Sequence, residues 1–259
     1  MTQTVKKTKD IVIGLGEIGN PILQLLSKKN LVLGYDLNKK LMVVDKFEKY
    51  SSLEVSFMHV CIPFTKNFIS VVLGYYKKFK PNCIVIHSTI RPNTTEHLQK
   101  KLSIPVMYSA TRGIHKRMLH DLKRYVKFYA IDKNAPREKW ASTTFEKLMN
   151  SSGVLTKKIS KPITLELAKI ICDTSYYGWL ITYAQISNLI AKKNGVDYDE
   201  MWSFADEIHK FLGNRPKMYP GFIGGHCVVP NLELINNDVL NLITEFNLKY
   251  AKILKIKTH

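Results

Sequence analysis

The sequence predicts an α/β chain: a doubly wound, mostly parallel sheet followed by an all-helical domain with a long central helix. Three observations predict it. Short β-branched or apolar runs alternate with helical-period segments through residue 158. The first such run ends in a cluster of glycines that opens a helix. Beyond residue 158 the strand-like runs stop, and a mostly apolar helical pattern extends from Thr164 to Asn194 with Gly178 as its single glycine and no proline.

The elements follow in order. Ile11-Val12-Ile13 reads as a buried strand, and Glu17 to Lys29 as a helix with Ile18, Ile22, Leu25 and Leu26 on one face. Leu31 to Tyr35 is a second strand ending at Asp36. Val55 to Ile62 is a third, closed by Pro63, and Cys83 to His87 a fourth. Pro105–Tyr108 and Val126–Ile131 complete the strands, with helices over Thr65–Lys78, Asn93–Leu102 and Pro136–Met149. Strand–helix alternation of this kind builds a parallel sheet covered on both faces. The helical half holds Thr164–Asn194, about 45 Å at 1.5 Å per residue, then Asp199–Leu212, a Gly/Pro-rich loop over Gly213–Pro230, and a terminal helix from Leu232 to Lys255. This divides the chain at 1–158 and 159–259. A helix so apolar needs a partner, and a homodimer through Thr164–Asn194 is expected.

Composition narrows the classes. No apolar stretch approaches the roughly 20 residues that span a bilayer. The polar, Lys-rich segment Met1–Asp10 lacks the apolar core of a signal peptide, so a cytoplasmic protein is expected. Cys61, Cys83, Cys172 and Cys227 form no CxxC pair, which points away from a zinc knuckle or a disulfide framework. The first three lie in apolar segments and read as small buried hydrophobes. A formal charge of +18 raises the question of a nucleic-acid partner. Of the 39 basic residues six are Arg, the Lys residues are spread over the whole chain, and no aromatic-interleaved basic motif appears. The charge therefore reads as compositional bias, compatible with an anionic small molecule.

Gly14-Leu15-Gly16-Glu17-Ile18-Gly19 is a GxGxxG sequence placed between a strand and a helix, the context that makes it a dinucleotide fingerprint. Gly14 permits the tight turn, Gly16 the approach of a pyrophosphate, and Gly19 close helix–strand packing, while the helix start offers free N–H groups. Asp36, at the end of the second strand, is positioned to accept ribose hydroxyls and to repel a 2′-phosphate. The reading is a Rossmann domain binding NAD, with Gly14, Gly16, Glu17, Ile18, Gly19 and Asp36 at the cofactor. In the second half, Gly224-Gly225-His226-Cys227 places a thiol beside an imidazole in a tight loop, the setting of a reactive cysteine. Lys169 and Asp173 stand at i and i+4, on one helix face.

These motifs together resemble the UDP-glucose/GDP-mannose dehydrogenase family, especially its UDP-N-acetylmannosamine dehydrogenase branch. Val60-Cys61-Ile62-Pro63, His87-Ser88-Thr89-Ile90-Arg91-Pro92-Asn93-Thr94-Thr95, Glu166-Leu167-Ala168-Lys169, Arg215 and the Gly224–Cys227 loop match its motifs in order. The resemblance implies two NAD-dependent oxidations of a sugar alcohol on a sugar or nucleotide-sugar-like substrate. In this role Cys227 would be the nucleophile, Lys169 would stabilise the alkoxide, and Asp173 and Asn231 would complete the catalytic set. It implies Arg215, His226 and Gly225 as substrate contacts, and Pro63, Thr65, Ser88 and Thr89 as further cofactor contacts. The departures are specific. Asn231 stands where the family has Asp, Asp173 where it has Asn, and Ala110-Thr111-Arg112 where it has Pro-Glu-Arg. Neither Asn nor Thr is a general base near neutral pH, so thioester hydrolysis lacks its carboxylates. The chain also ends before the family's third, nucleotide-binding domain. Two alternatives remain: a one-step β-hydroxyacid-type dehydrogenase using Lys169 with Asp173, and a non-catalytic NAD-binding descendant.

Overall fold

The computed structural model describes residues 7–212, 220–225, 228–234 and 237–256. Its chain divides into two compact units, residues 1–167 and 168–259. The sequence boundary at 158 falls inside the last strand of the first unit.

The first unit is a seven-stranded sheet. Its strands are β1 (Lys9–Ile13), β2 (Val32–Tyr35), β3 (Val55–Val60), β4 (Cys83–Ile86), β5 (Val106–Tyr108), β6 (Lys127–Ile131) and β7 (Thr156–Ile159). They lie in the order β2-β1-β3-β4-β5-β6-β7. All neighbours are parallel except β5 and β6. The helices are α1 (Gly19–Leu26), α2 (Val44–Lys49), α3 (Phe68–Phe79), α4 (Thr94–Gln99), α5 (Met118–Arg124), α6 (Glu138–Ser151) and α7 (Pro162–Ala168). On one face of the sheet Val12, Phe57, Val85 and Met107 pack with Leu25 of α1, Leu122 of α5 and Phe145 of α6. On the other, Ile11, Met58, Ile84 and Tyr108 pack with Val72 of α3, Leu98 of α4 and Leu165 of α7. Burying each such side chain contributes about 1.5–3 kcal/mol.

Register positions the site. Ile13 pairs with both Tyr35 and Val60, Val60 with Ile86, and Ile86 with Tyr108. Five parallel strands therefore end level, and Gly14, Asp36, Cys61, His87 and Ser109 stand in one row where the loops begin. The chain leaves β1 for β2 on one side and returns to β3 on the other, so the crevice at their ends is a topological switch point. The expected doubly wound, mostly parallel sheet is the one observed. β7, α2 and α5 were not foreseen, because none is long enough to show a period. The Lys157-Lys158 pair in β7 suits an edge strand, where charge discourages pairing with another chain.

The second unit contains α8 (Tyr176–Lys193), α9 (Tyr198–Leu212), α10 (Val229–Leu232) and α11 (Asp238–Ile253). Its core joins Ile223, Val228, Leu232 and Ile243 with Trp179 and Ile181 alongside. A Cβ on Gly178 would lie 2.9 Å from Val228 Cγ1 and 3.3 Å from Ile243 Cγ2, so glycine lets both approach α8 closely. The expected single helix over Thr164–Asn194 is instead three segments in succession: α7, a π-helical stretch Lys169–Ser175, and α8. The wider winding is visible in its side chains, where the Thr174 hydroxyl donates to Lys169 O and the Ser175 hydroxyl to Ile170 O, each five residues back. It turns Thr174 and Ser175 inward and leaves Ile171 and Cys172 exposed. The expectation of a buried Cys172 is thereby corrected: an apolar neighbourhood in sequence does not fix the face when the period changes. Cys83 is buried as expected, and Cys61 is half-buried. Among the described residues no helix is long and apolar enough to cross a membrane.

Candidate functional site

The glycine turn follows β1 directly. Gly14 has φ +86°, and a Cβ there would lie 2.9 Å from Ile62 Cγ2 and 3.0 Å from Cys61 O. A Cβ on Gly19 would fall 1.7 Å from Gly14 O. Around Gly16 nothing lies within 4 Å of that position. The turn is thus tight on the sheet side and open where a phosphate would approach. Glu17 is exposed and Ile18 half-buried as the chain enters α1. Asn20 N donates to Gly16 O at 3.1 Å and Pro21 carries no N–H, so donors for an anion would come from the turn that precedes them.

Asp36 reaches back to this turn. Its Oδ2 accepts from Leu15 N at 2.7 Å and its Oδ1 from Asn38 N at 2.8 Å. Two backbone donors fix the carboxylate, and each oxygen retains a lone pair for a hydroxyl. On the β3 side Pro63 and Thr65 are exposed. The Ser88 hydroxyl donates to Ile62 O at 2.5 Å, tying the loop after β4 to the loop after β3. Thr89 is half-buried beside it. Burial pushes the Cys61 thiol up to about 12, so it is a neutral wall of the turn and not a nucleophile. All the expected cofactor residues of the first unit therefore stand on this edge of the sheet.

Sequence reasoning missed a polar chain beneath the same edge. His59 Nδ1 lies 2.9 Å from His87 Nε2, and His87 Nδ1 lies 3.0 Å from Ser109 O. With a carbonyl at one end, His87 donates from Nδ1 and accepts from His59 at Nε2. Burial holds His59 down at about 3 and His87 well below its usual range, so both are neutral. Lys127, also buried, donates to Ser109 O (2.8 Å), Ala110 O (3.0 Å) and the Thr111 hydroxyl (3.0 Å). Arg112 donates to Val126 O at 2.7 Å with its guanidinium 4.9 Å from the Phe128 ring centre. The loop after β5, which carries Ala110-Thr111-Arg112, is therefore held at both ends. Farther along it, His115 Nδ1 lies 2.7 Å from Glu17 Oε2. The signal in the sequence was His59 within, and His87 directly after, strands that are mostly apolar.

Glu166 has a structural task. Its fully buried carboxylate accepts from Asn93 N (2.6 Å), Thr95 N (3.0 Å) and the Thr95 hydroxyl (2.6 Å), capping α4. Desolvation raises its pKa against the pull of those donors. Asn93 has φ +69°, and Asn is among the non-glycine residues that best tolerate that backbone.

In the second unit Lys169 Nζ donates to Asp173 Oδ2 at 2.5 Å. The lysine side chain is 14% exposed and the aspartate 46%, so the amine is sheltered and the pair opens to solvent on the carboxylate side. It sits in the π-helical stretch, a feature found frequently at functional sites. The Asn247 amide clasps Ile223, accepting from its N at 2.8 Å and donating to its O at 3.0 Å, while Gln185 donates to Gly221 O at 2.6 Å. Gly225 has φ +74°, and Asn231 is half-buried in α10. Arg215, His226 and Cys227 lie outside the described residues.

No family model matches the sequence. No curated protein matches it significantly. Solved structures do match in fold. The UDP-D-ManNAc dehydrogenase of Pyrococcus horikoshii is 19% identical with a TM-score of 0.78, over 96% of this chain and 70% of that one. The UDP-glucose dehydrogenase of Pyrobaculum islandicum is 15% identical with a TM-score of 0.69, over 98% and 70%. The 3-hydroxyisobutyrate dehydrogenase of Mycobacterium tuberculosis is 13% identical with a TM-score of 0.61, over 97% and 89%. The fold of this chain is the one these dehydrogenases share.

Proposed function

We propose that this chain, which carries the fold of the nucleotide-sugar dehydrogenases, is an NAD-dependent oxidoreductase acting on an alcohol carbon of a sugar or sugar-like substrate. The observation that carries the reading is the Asp36 carboxylate, fixed by Leu15 N at the mouth of a glycine turn whose Gly16 side is open. These residues fit a dinucleotide: Gly14, Gly16, Glu17, Ile18 and Gly19 would receive the pyrophosphate, and Asp36 the adenosine ribose. Pro63, Thr65, Ser88 and Thr89 would line the nicotinamide side. A carboxylate at that place favours NAD over NADP. When bound, the nicotinamide supplies the hydride acceptor.

The rest of the chemistry falls to the chain. Lys169, oriented by Asp173, is the group proposed to stabilise the alkoxide that forms as the substrate hydroxyl loses its proton. Cys227 is proposed as the nucleophile toward the resulting aldehyde, with Asn231 in the catalytic set and Arg215, Gly225 and His226 as substrate contacts. A second NAD would be needed to oxidise the Cys227 thiohemiacetal to a thioester, and because Thr111 and Asn231 cannot draw a proton from water that acyl group would be released slowly. NADH formation across UDP-sugars, GDP-sugars and simple hydroxy acids tests the reading, and silence with all of them refutes it. Cys227→Ser separates the routes: loss of activity supports two oxidations. Retention supports the one-step β-hydroxyacid reaction, which the self-contained Lys169–Asp173 pair favours. Inactivity with retained NADH binding would identify a non-catalytic descendant.

A homodimer belongs to the same proposal. Tyr176, Tyr183 and Ile190 recur every seven residues along α8 and are each more than half exposed. The proposed setting is the cytoplasm, with reduced thiols.

A further inference from the structure

The loop proposed to meet the nicotinamide begins at His87, directly after β4. Hydrogen bonds converge on this buried residue from β3 and from the chain after β5. Its N donates to Val60 O at 2.9 Å, and its O accepts from Thr111 N at 3.2 Å. Its Nδ1 lies 3.0 Å from Ser109 O and its Nε2 2.9 Å from His59 Nδ1. The chain then runs straight into Thr89 through Ser88, whose hydroxyl is tied to Ile62 O at 2.5 Å.

The protons along this line have one arrangement. A carbonyl cannot donate, so His87 carries its proton on Nδ1. Burial keeps both rings neutral, so His87 Nε2 accepts and His59 Nδ1 donates. His59 Nε2 is then a buried acceptor that meets no donor among the described residues. Its bond to His87 is thus the one hydrogen bond of the His59 side chain among those residues. An apolar side chain in this fully buried place, beside Phe57, would avoid the cost of burying that acceptor. What the imidazole adds is the N–H that holds the His87 ring in one orientation.

We propose that His59 is a positioning residue for the nicotinamide half of the dinucleotide, acting through His87 to fix where Ser88 and Thr89 stand. The inference rests on the dinucleotide site proposed above. Gly14 to Gly19 and Asp36, proposed for the pyrophosphate and the adenosine ribose, belong to the loops after β1 and β2. The effect of His59 is therefore confined to one end of the ligand.

The test compares NADH with ADP-ribose, which lacks the nicotinamide, by calorimetry at one pH. The wild type should bind NADH more tightly. His59→Leu should weaken NADH about threefold to tenfold, the order of one lost hydrogen bond, and leave ADP-ribose unchanged. His59→Asn, whose amide N–H stands near the place of Nδ1–H, should restore NADH binding. Equal binding of the two ligands by the wild type, NADH binding undiminished in His59→Leu, an equal loss of both ligands, or an Asn variant no better than Leu overturns the inference and leaves the proposed function standing. If neither ligand binds the wild type, both fall. Two-bond ¹H–¹⁵N spectra of the wild type, with His59→Asn to assign the signal, need no folded Leu variant. They should show His59 and His87 neutral with the proton on Nδ1, and an Nε2–H form of either ring also overturns the inference.

Discussion

Gly16 and Gly19, three residues apart in one motif, should fail in opposite ways when each is replaced by alanine. A Cβ on Gly19 would sit 1.7 Å from Gly14 O and 2.8 Å from Gly14 C, both backbone atoms. Contacts under 3.0 Å are essentially never tolerated, so the start of α1 must retreat from β1 by at least about 1.3 Å. Overpacking on this scale costs about 1–3 kcal/mol. For a domain of this size that lowers Tm by about 2–4 °C per kcal/mol. The displacement also moves the donors of the turn, and misplacement by about 1 Å can cost a hundredfold in function. Gly16→Ala meets nothing within 4 Å and needs no positive φ, so the fold should not register it. Its methyl instead occupies the space a pyrophosphate needs, and NADH affinity should fall at least tenfold at unchanged Tm. Calorimetry and NADH titration on the two variants make the comparison. If Gly16→Ala binds NADH like the wild type, the turn is not the phosphate cradle and the functional reasoning fails.

Three further outcomes are expected. Burial raises Asp10 to about 7, although Phe57 N donates to it at 2.9 Å. A carboxyl raised in the folded state favours folding below its unfolded value near 4, and that contribution is lost as pH climbs to about 7. Asp10→Asn should therefore flatten this slope and stabilise the protein at pH 8 by on the order of 2–4 kcal/mol, read from unfolding curves at pH 4 to 8; a lower stability than wild type at pH 8 would refute it. Asn93→Gly should leave stability unchanged while Asn93→Ala costs about 1–2 kcal/mol, because φ is +69° there; equal melting of the two would show that backbone strain is not the reason for Asn. Sedimentation should give a dimer mass that Tyr183→Lys with Ile190→Lys reduces to a monomer, and a monomeric wild type at micromolar concentration would end the dimer proposal.

The strand–turn–helix entry was legible in the sequence because each of its requirements is local. A β-branched run, glycines where the turn forbids a side chain, and an acid at the next strand end all act over about 25 residues. The two-faced sheet followed from alternation alone, since apolar strands must be covered on both sides. Lys169 and Asp173 were likewise readable, as neighbours one turn apart. What tertiary structure decided were the pairings across long separations: Lys127 onto Ser109–Thr111, Glu166 onto the start of α4, Asn247 onto Ile223, and His115 onto Glu17. The π-helical stretch was also not legible: its Thr174 and Ser175 hydroxyls reach carbonyls five residues back, in a segment whose composition reads as α. Local rules fix which backbone each segment can adopt, but a buried donor or acceptor takes whichever partner the fold brings within reach. That choice belongs to the sheet order and the strand register, which no short window of residues contains.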